Sequence, residues 1–161
     1  SLERINIPDG VTYLGAYAFY DCTKINSLEL QDGVKSIGNY AFYNCNSVTN
    51  IDIVDGVKSV GSNAFYGCND LETLYISNTI ESIGNYAFAE CNNILDIKIG
   101  SEKAITASEN IFSSDAYNNA CLYVPEGRKD FYAKTSPWSN FIIKEQKAKR
   151  LRLSTIYKVE K

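Results

Sequence analysis

Apolar residues in this chain return at two superimposed rhythms. In residues 25–47, "INSLELQDGVKSIGNYAFYNCNS", the stretch 27–30 alternates polar and apolar and puts Leu28 and Leu30 on one side, the two-residue period of a half-buried strand. Equivalent inward pairs are Ile5 and Ile7, Ile51 and Ile53, Leu74 and Ile76, and Ile97 and Ile99, each 23 residues beyond the last. A second pattern follows each strand. Gly38, Ala41, Phe42 and Cys45 stand at i, i+3, i+4 and i+7, which predicts one face of a short helix turned toward a core. Between the two lies a turn, written "PDG", "QDG" and "VDG" at residues 8–10, 31–33 and 54–56; Gly tolerates positive φ and Asp bonds its own backbone. The fourth copy has Ser77, Asn78 and Thr79 there, so that turn is expected to differ.

The same 23-residue step runs through three further columns: Gly15, Gly38, Gly61 and Gly84; Phe19, Phe42, Phe65 and Phe88; Cys22, Cys45, Cys68 and Cys91. A fixed period of this size marks a solenoid, in which each repeat buries its apolar face only against its neighbours. The expected architecture is a parallel sheet on one side with short helices covering the other. After Ile99 the fifth copy stretches, with Ile111-Phe112 in place of Ala-Phe and Leu122 and Val124 as a last inward pair. Phe131, Tyr132, Trp138 and Phe141 are then expected to cover the end of the core, as a terminal repeat must. This gives a repeat domain over 1–143, of five to six repeats with its cap from about 122–143, and a basic tail or linker over 144–161. The chain opens on Ser1 directly before a strand and contains no Met. An uncapped parallel edge invites pairing, so the expectation is a parent in which more repeats precede Ser1; the alternative is a first strand left exposed or paired with another copy. A mature product or expressed fragment fits this start, and export stays undecided.

Composition narrows the chemistry. There is no histidine among the 161 residues, which removes Ser-His and Cys-His nucleophile pairs, histidine bases and histidine-ligated metals. No glycine-rich phosphate loop is present, and no apolar run approaches the roughly 20 residues that span a bilayer. No cofactor is expected. Residues 144–161 carry seven Lys or Arg against two Glu, leaving nine against seventeen acidic residues over 1–143. An acidic body argues against nucleic acid as the main partner, and the basic run reads as a solvated end.

At the level of residues, the pattern L-x-x-L-x-L-P-x-x-L-x-x-I-G-x-x-A-F-x-x-C over residues 2 to about 125 resembles the 23-residue leucine-rich repeat of the BspA-like, or Treponema-type, family. "CLYVPEGRKDFYAKTSPWSNF" resembles the segment that closes such arrays. The resemblance implies a right-handed β/α leucine-rich superhelix with a C-terminal cap, acting as a non-catalytic binding module of a bacterial surface or secreted protein. Its partner would be protein, either host matrix or another bacterium, with glycan as a further candidate and no membrane insertion in this chain. The alternative it leaves is a carbohydrate-binding or spacer module of a larger surface enzyme.

Solenoid strand faces are the usual binding surfaces. Here the face residues vary between repeats: Arg4 and Asn6, Ser27 and Glu29, Asn50 and Asp52, Thr73 and Tyr75, Asp96 and Lys98, then Tyr123. Asn6, Glu29, Asp52, Tyr75, Lys98 and Tyr123 are the candidate binding residues. Glu29 and Asp52, on neighbouring strands, approach the separation of a retaining glycosidase pair, but nothing sets their pKa values apart and no cleft encloses them. Two tyrosine columns, Tyr17, Tyr40 and Tyr86 and Tyr20, Tyr43 and Tyr66, keep the repeat's own period and are expected to pack on each other rather than stack on sugar. The repeat cysteines match no zinc spacing. Pointing one way in a column, they suit no disulfide and read as small buried hydrophobes. Cys121 lies on the polar side of its strand, either partly exposed or tucked under the cap.

Overall fold

The computed structural model describes residues 3–103 and 105–147; the expected tail beyond residue 147 lies outside them. Each repeat contributes a longer strand and a two-residue one. In chain order these are β1 (Arg4–Asn6), β2 (Tyr13–Leu14), β3 (Ser27–Glu29), β4 (Ser36–Ile37), β5 (Asn50–Ile53), β6 (Ser59–Val60), β7 (Thr73–Ile76), β8 (Ser82–Ile83), β9 (Asp96–Ile99) and β10 (Thr106–Ala107). Because the pattern repeats every 23 residues, a strand meets the same position of the next repeat: Ile51 pairs with Leu74, and Leu74 with Ile97. All pairings are parallel. The inward pairs Ile51 and Ile53, Leu74 and Ile76, and Ile97 and Ile99 are fully buried. This is the expected solenoid with a parallel sheet on one face.

Two features differ from the sequence reading. The two-residue strands form a second parallel sheet, ordered β10-β8-β6-β4-β2. The expected short helices are instead chains of tight turns, with positive φ at Tyr17 and Asp21, Tyr40 and Asn44, Asn63 and Gly67, and Tyr86 and Glu90. The reason lies in the backbone hydrogen bonds. Alternate amides point along the stack, from Tyr40 to Ser62 O, Phe42 to Ala64 O and Asn44 to Tyr66 O at 2.7–3.0 Å. Those between them close i to i−3 turns, as Ala41 does to Gly38 O. A helix would send every amide along its own axis and leave neighbouring repeats without that ladder. Left-handed backbone at a tyrosine is uncommon and costs on the order of 1–3 kcal/mol. The ring stacks Tyr17–Tyr40, Tyr20–Tyr43 and Tyr43–Tyr66, each at 4.9 Å between centroids, offset it.

Side chains stack in the core as they do in the backbone. Phe19, Phe42, Phe65, Phe88 and Phe112 form one column of near-parallel rings at 5.1–5.6 Å. Each buried cysteine donates its S–H to the phenylalanine carbonyl of the preceding repeat: Cys45 to Phe19 O, Cys68 to Phe42 O and Cys91 to Phe65 O, at 3.1–3.5 Å. The divergent fourth turn is stitched by hydroxyls. Ser77 donates to Val54 O at 3.1 Å, while Thr79 accepts from Gly56 N–H and donates to Val57 O, both at 2.9 Å.

The chain closes through α1 (Ser114–Asn119), β11 (Cys121–Pro125), α2 (Lys129–Tyr132), a 3-10 turn at Trp138–Asn140 and β12 (Ile142–Gln146). Strands β11 and β12 extend the long sheet to the order β12-β11-β9-β7-β5, so residues 144–146, expected in the tail, belong to a strand. Trp138 and Phe141 meet the last ring, Phe112, edge-on at 6.0 and 5.3 Å and end the stack. Tyr132 and Trp138 are fully buried and Phe141 nearly so; Phe131, expected beside them, is 38% exposed and leans edge-on against Tyr132. The Tyr132 hydroxyl donates to Ser101 O at 2.7 Å, and Trp138 Nε1 to Ile105 O at 3.4 Å.

Two outcomes follow. A Cβ at Gly84 would sit 2.5 Å from Ser62 N, whereas one at Gly15 meets nothing within 4 Å. Gly84→Ala is expected to cost about 1–3 kcal/mol in urea unfolding, and Gly15→Ala less than about 0.5 kcal/mol. Burial pushes the Tyr132 phenol up to about 12 from 10.0. The folded state therefore holds that proton longer than the unfolded chain. Its stabilising contribution is complete below pH 10 and is lost as pH rises to about 12. Unfolding free energy measured across that window should fall less steeply in Tyr132→Phe, a variant that starts about 1 kcal/mol less stable.

Candidate functional site

The inward pairs are consumed by the core, so alternate residues of the long strands stand on the outer face of the sheet. Pairing brings four of the expected residues into a single row: Asp52 opposite Tyr75, Tyr75 opposite Lys98, and Lys98 opposite Tyr123. The row then continues to Lys144, which is opposite Tyr123. A parallel row runs Asn50, Thr73, Asp96, Cys121 and Ile142. Asn6 and Glu29 pair with each other in a separate two-stranded sheet. There Asn6 accepts a hydrogen bond from Gln31 Nε2 at 3.0 Å, and Glu29 faces Arg4 at 3.7 Å. That ion pair is largely exposed and contributes little.

The C-terminal end of the face is the most tightly connected. The Lys144 ammonium lies 5.8 Å from the centre of the Tyr123 ring, within cation–π range. The neighbouring Cys121, and then Tyr123 and Asp96, hold Lys144 above its ordinary pKa. Partial burial and then Asp96 raise the Tyr123 phenol. Sequence reasoning missed Lys144. The only signal was the alternation in "IIKEQ", where Ile143 alone is apolar and inward, too short a pattern to separate a strand from a tail. It also missed an open groove of about 660 Å³ along the rim, lined by Asp70, Glu72, Asn92, Asn93 and the 56% exposed Leu95.

The structural columns sit elsewhere. Phe42, Phe65 and Phe88 are fully buried, as are Cys45, Cys68 and Cys91, while Phe19 and Cys22 of the first repeat are half-buried. The tyrosine stacks occupy the turn side; because the rings lie face to face, mostly their edges meet water. Among the described residues no three His, Cys, Asp or Glu side chains converge as a metal site would need, and no helix is long and apolar enough to cross a membrane. All five cysteines are free, with Cys22 and Cys121 partly accessible. Burial lifts the Cys45 thiol to about 12, while the Cys91 neighbour and then burial raise Cys68 well above 9.0. Iodoacetamide at pH 8 is expected to label Cys22 and Cys121 in the native protein, since thiolates are the reactive form. Cys45, Cys68 and Cys91 should react only after unfolding, as read by peptide mass mapping.

Comparison with known proteins agrees with this geometry. The family model described as the BspA type leucine rich repeat region matches residues 1–119 in six copies. No curated protein matches the chain. Three solved structures share its fold. A leucine-rich repeat protein from Bacteroides ovatus is 18% identical, with a TM-score of 0.58 over 92% of this chain and 54% of its own. The T. pallidum leucine-rich repeat protein is 18% identical, with a TM-score of 0.54 over 98% of this chain and 82% of its own. The pneumococcal vaccine antigen PcpA is 19% identical, with a TM-score of 0.54 over 92% of this chain and 42% of its own. This chain thus spans about half the length of the first.

Proposed function

We propose, starting from a chain that belongs to the BspA-type leucine-rich repeat family, that it is a non-catalytic protein-binding module of a bacterial surface or secreted protein, engaging a host or neighbouring-cell macromolecule through its strand face. One observation carries this reading. Positions that pack are nearly invariant from repeat to repeat, as in Phe42, Phe65 and Phe88, while the face position reads Asn6, Glu29, Asp52, Tyr75, Lys98 and Tyr123. Packing alone would not require a different side chain at every step, whereas recognition of a heterogeneous partner does. The neighbour described as a vaccine antigen supports a surface location. A sugar platform is disfavoured on the turn side, where Tyr17, Tyr40, Tyr20, Tyr43 and Tyr66 cover one another's ring faces.

Binding of the purified chain to a panel of matrix proteins and glycans at physiological salt tests the reading. Asp52→Lys combined with Tyr75→Ala should weaken protein binding at least tenfold with an unchanged melting curve. Binding indifferent to that variant, or none across the panel, overturns the strand-face site.

A further inference from the structure

The row on the strand face changes sign along the solenoid. Asp52 is a carboxylate at one end; Lys98 and Lys144 are cations at the other, with Tyr123 between them. Lys98 and Lys144 occupy one register two strands apart, so their backbones stand roughly 10 Å from each other at about 4.8 Å per strand. Tyr75 and Tyr123 are offset by the same interval, so aromatic and cation alternate. The Lys144 ammonium lies over the Tyr123 ring, which keeps it on the face. Asp96, on the neighbouring row and near the Tyr123 hydroxyl, offsets one of the two cations and leaves this end net positive.

We propose that the Lys98–Tyr123–Lys144 end of the face binds an acidic polyproline II segment of a protein partner, with carboxylates three residues apart meeting the two lysines. The inference rests on the strand-face reading above. Spacing selects the conformation. Polyproline II has three residues per turn and rises about 3.1 Å per residue, so i and i+3 share a side about 9 Å apart. An extended strand sets same-side residues about 7 or 13 Å apart, to either side of that span, and an α-helix reaches it only with acids about seven residues apart. The sign change selects a peptide over a polyanion. A uniformly anionic glycan or nucleic acid running along the row would meet Asp52, whereas a peptide can confine its acids to one end. A neutral sugar is disfavoured because Lys144 already lies over the Tyr123 ring.

The test is anisotropy of a labelled (Glu-Pro-Pro)2(Pro)6 peptide, its acids confined to one end, titrated with the full chain at low and physiological salt. A four-residue spacing, (Glu-Pro-Pro-Pro)2(Pro)4, the basic (Lys-Pro-Pro)2(Pro)6 and a sulfated polysaccharide are titrated alongside. The three-residue acidic spacing should bind at least tenfold tighter than the other two peptides. Lys98→Glu with Lys144→Glu, its melting curve unchanged, should lose that binding at least tenfold. No binding, equal binding of the four-residue spacing, or indifference to the lysine pair overturns the proposal. Tighter, lysine-dependent binding of the polysaccharide also overturns it, in favour of a polyanion. If panel binding falls with Asp52→Lys/Tyr75→Ala but ignores the lysine pair, the strand-face reading stands and this inference alone fails; indifference to both variants removes both.

Discussion

Everything in this solenoid depends on the hydrogen-bonded contact of one backbone turn with the next. Amides point along the stack on all three sides: in the long sheet, in the short sheet, and in the chained turns where Phe42 N reaches Ala64 O at 2.7 Å. Such pairing fixes the rise per repeat near the spacing of adjacent strands, about 4.8 Å. A rise that small leaves space for side chains only if like stacks on like. The tyrosine rings at 4.9 Å and the phenylalanine rings at 5.1 Å are therefore consequences of the backbone ladder rather than its cause. The glycine column answers the same constraint, because the backbone of Ser62 comes where a Cβ on Gly84 would be.

A stack built this way has no internal reason to stop, so the ends carry the specialised residues. Between Phe88 and Phe112 the ring spacing widens to 5.6 Å, where the fifth repeat lengthens. Trp138 and Phe141 then turn edge-on, a geometry whose quadrupoles attract but which offers no face for another ring in register. Tyr132 supports the closure from beneath by tying its hydroxyl to Ser101 O. Strand β12 rides on this cap, and so the cap, besides sealing the core, delivers Lys144 to the outward row.

What the sequence made legible was whatever kept a clean period. The inward pairs from Ile5 to Val124, the phenylalanine column and the strand face follow from alternation and the 23-residue step. The chained turns were hidden because i, i+3, i+4, i+7 spacing is produced by successive i to i−3 turns as readily as by a helix. Positive φ at Tyr40 or Tyr86 has no marker in residue type. Strands such as Ser59–Val60 are too short to alternate, although Leu14, Ile37, Val60 and Ile83 keep the step. Phe131 looked like its neighbours in the cap, and only the placement of α2 turns it outward.

The exact register between repeats also makes the repeat a unit of exchange. Removing residues 50–72 would set Ser27 and Glu29 opposite Thr73 and Tyr75, rejoin Phe42 to Phe88 and Cys45 to Cys91, and leave every core column continuous. The outward face would be rewritten by the loss of Asp52, and on the turn side Tyr43 would lose its Tyr66 partner and meet Ala89. A lineage built on this plan can therefore edit its outward face by gaining or losing whole copies, without re-solving how the protein folds.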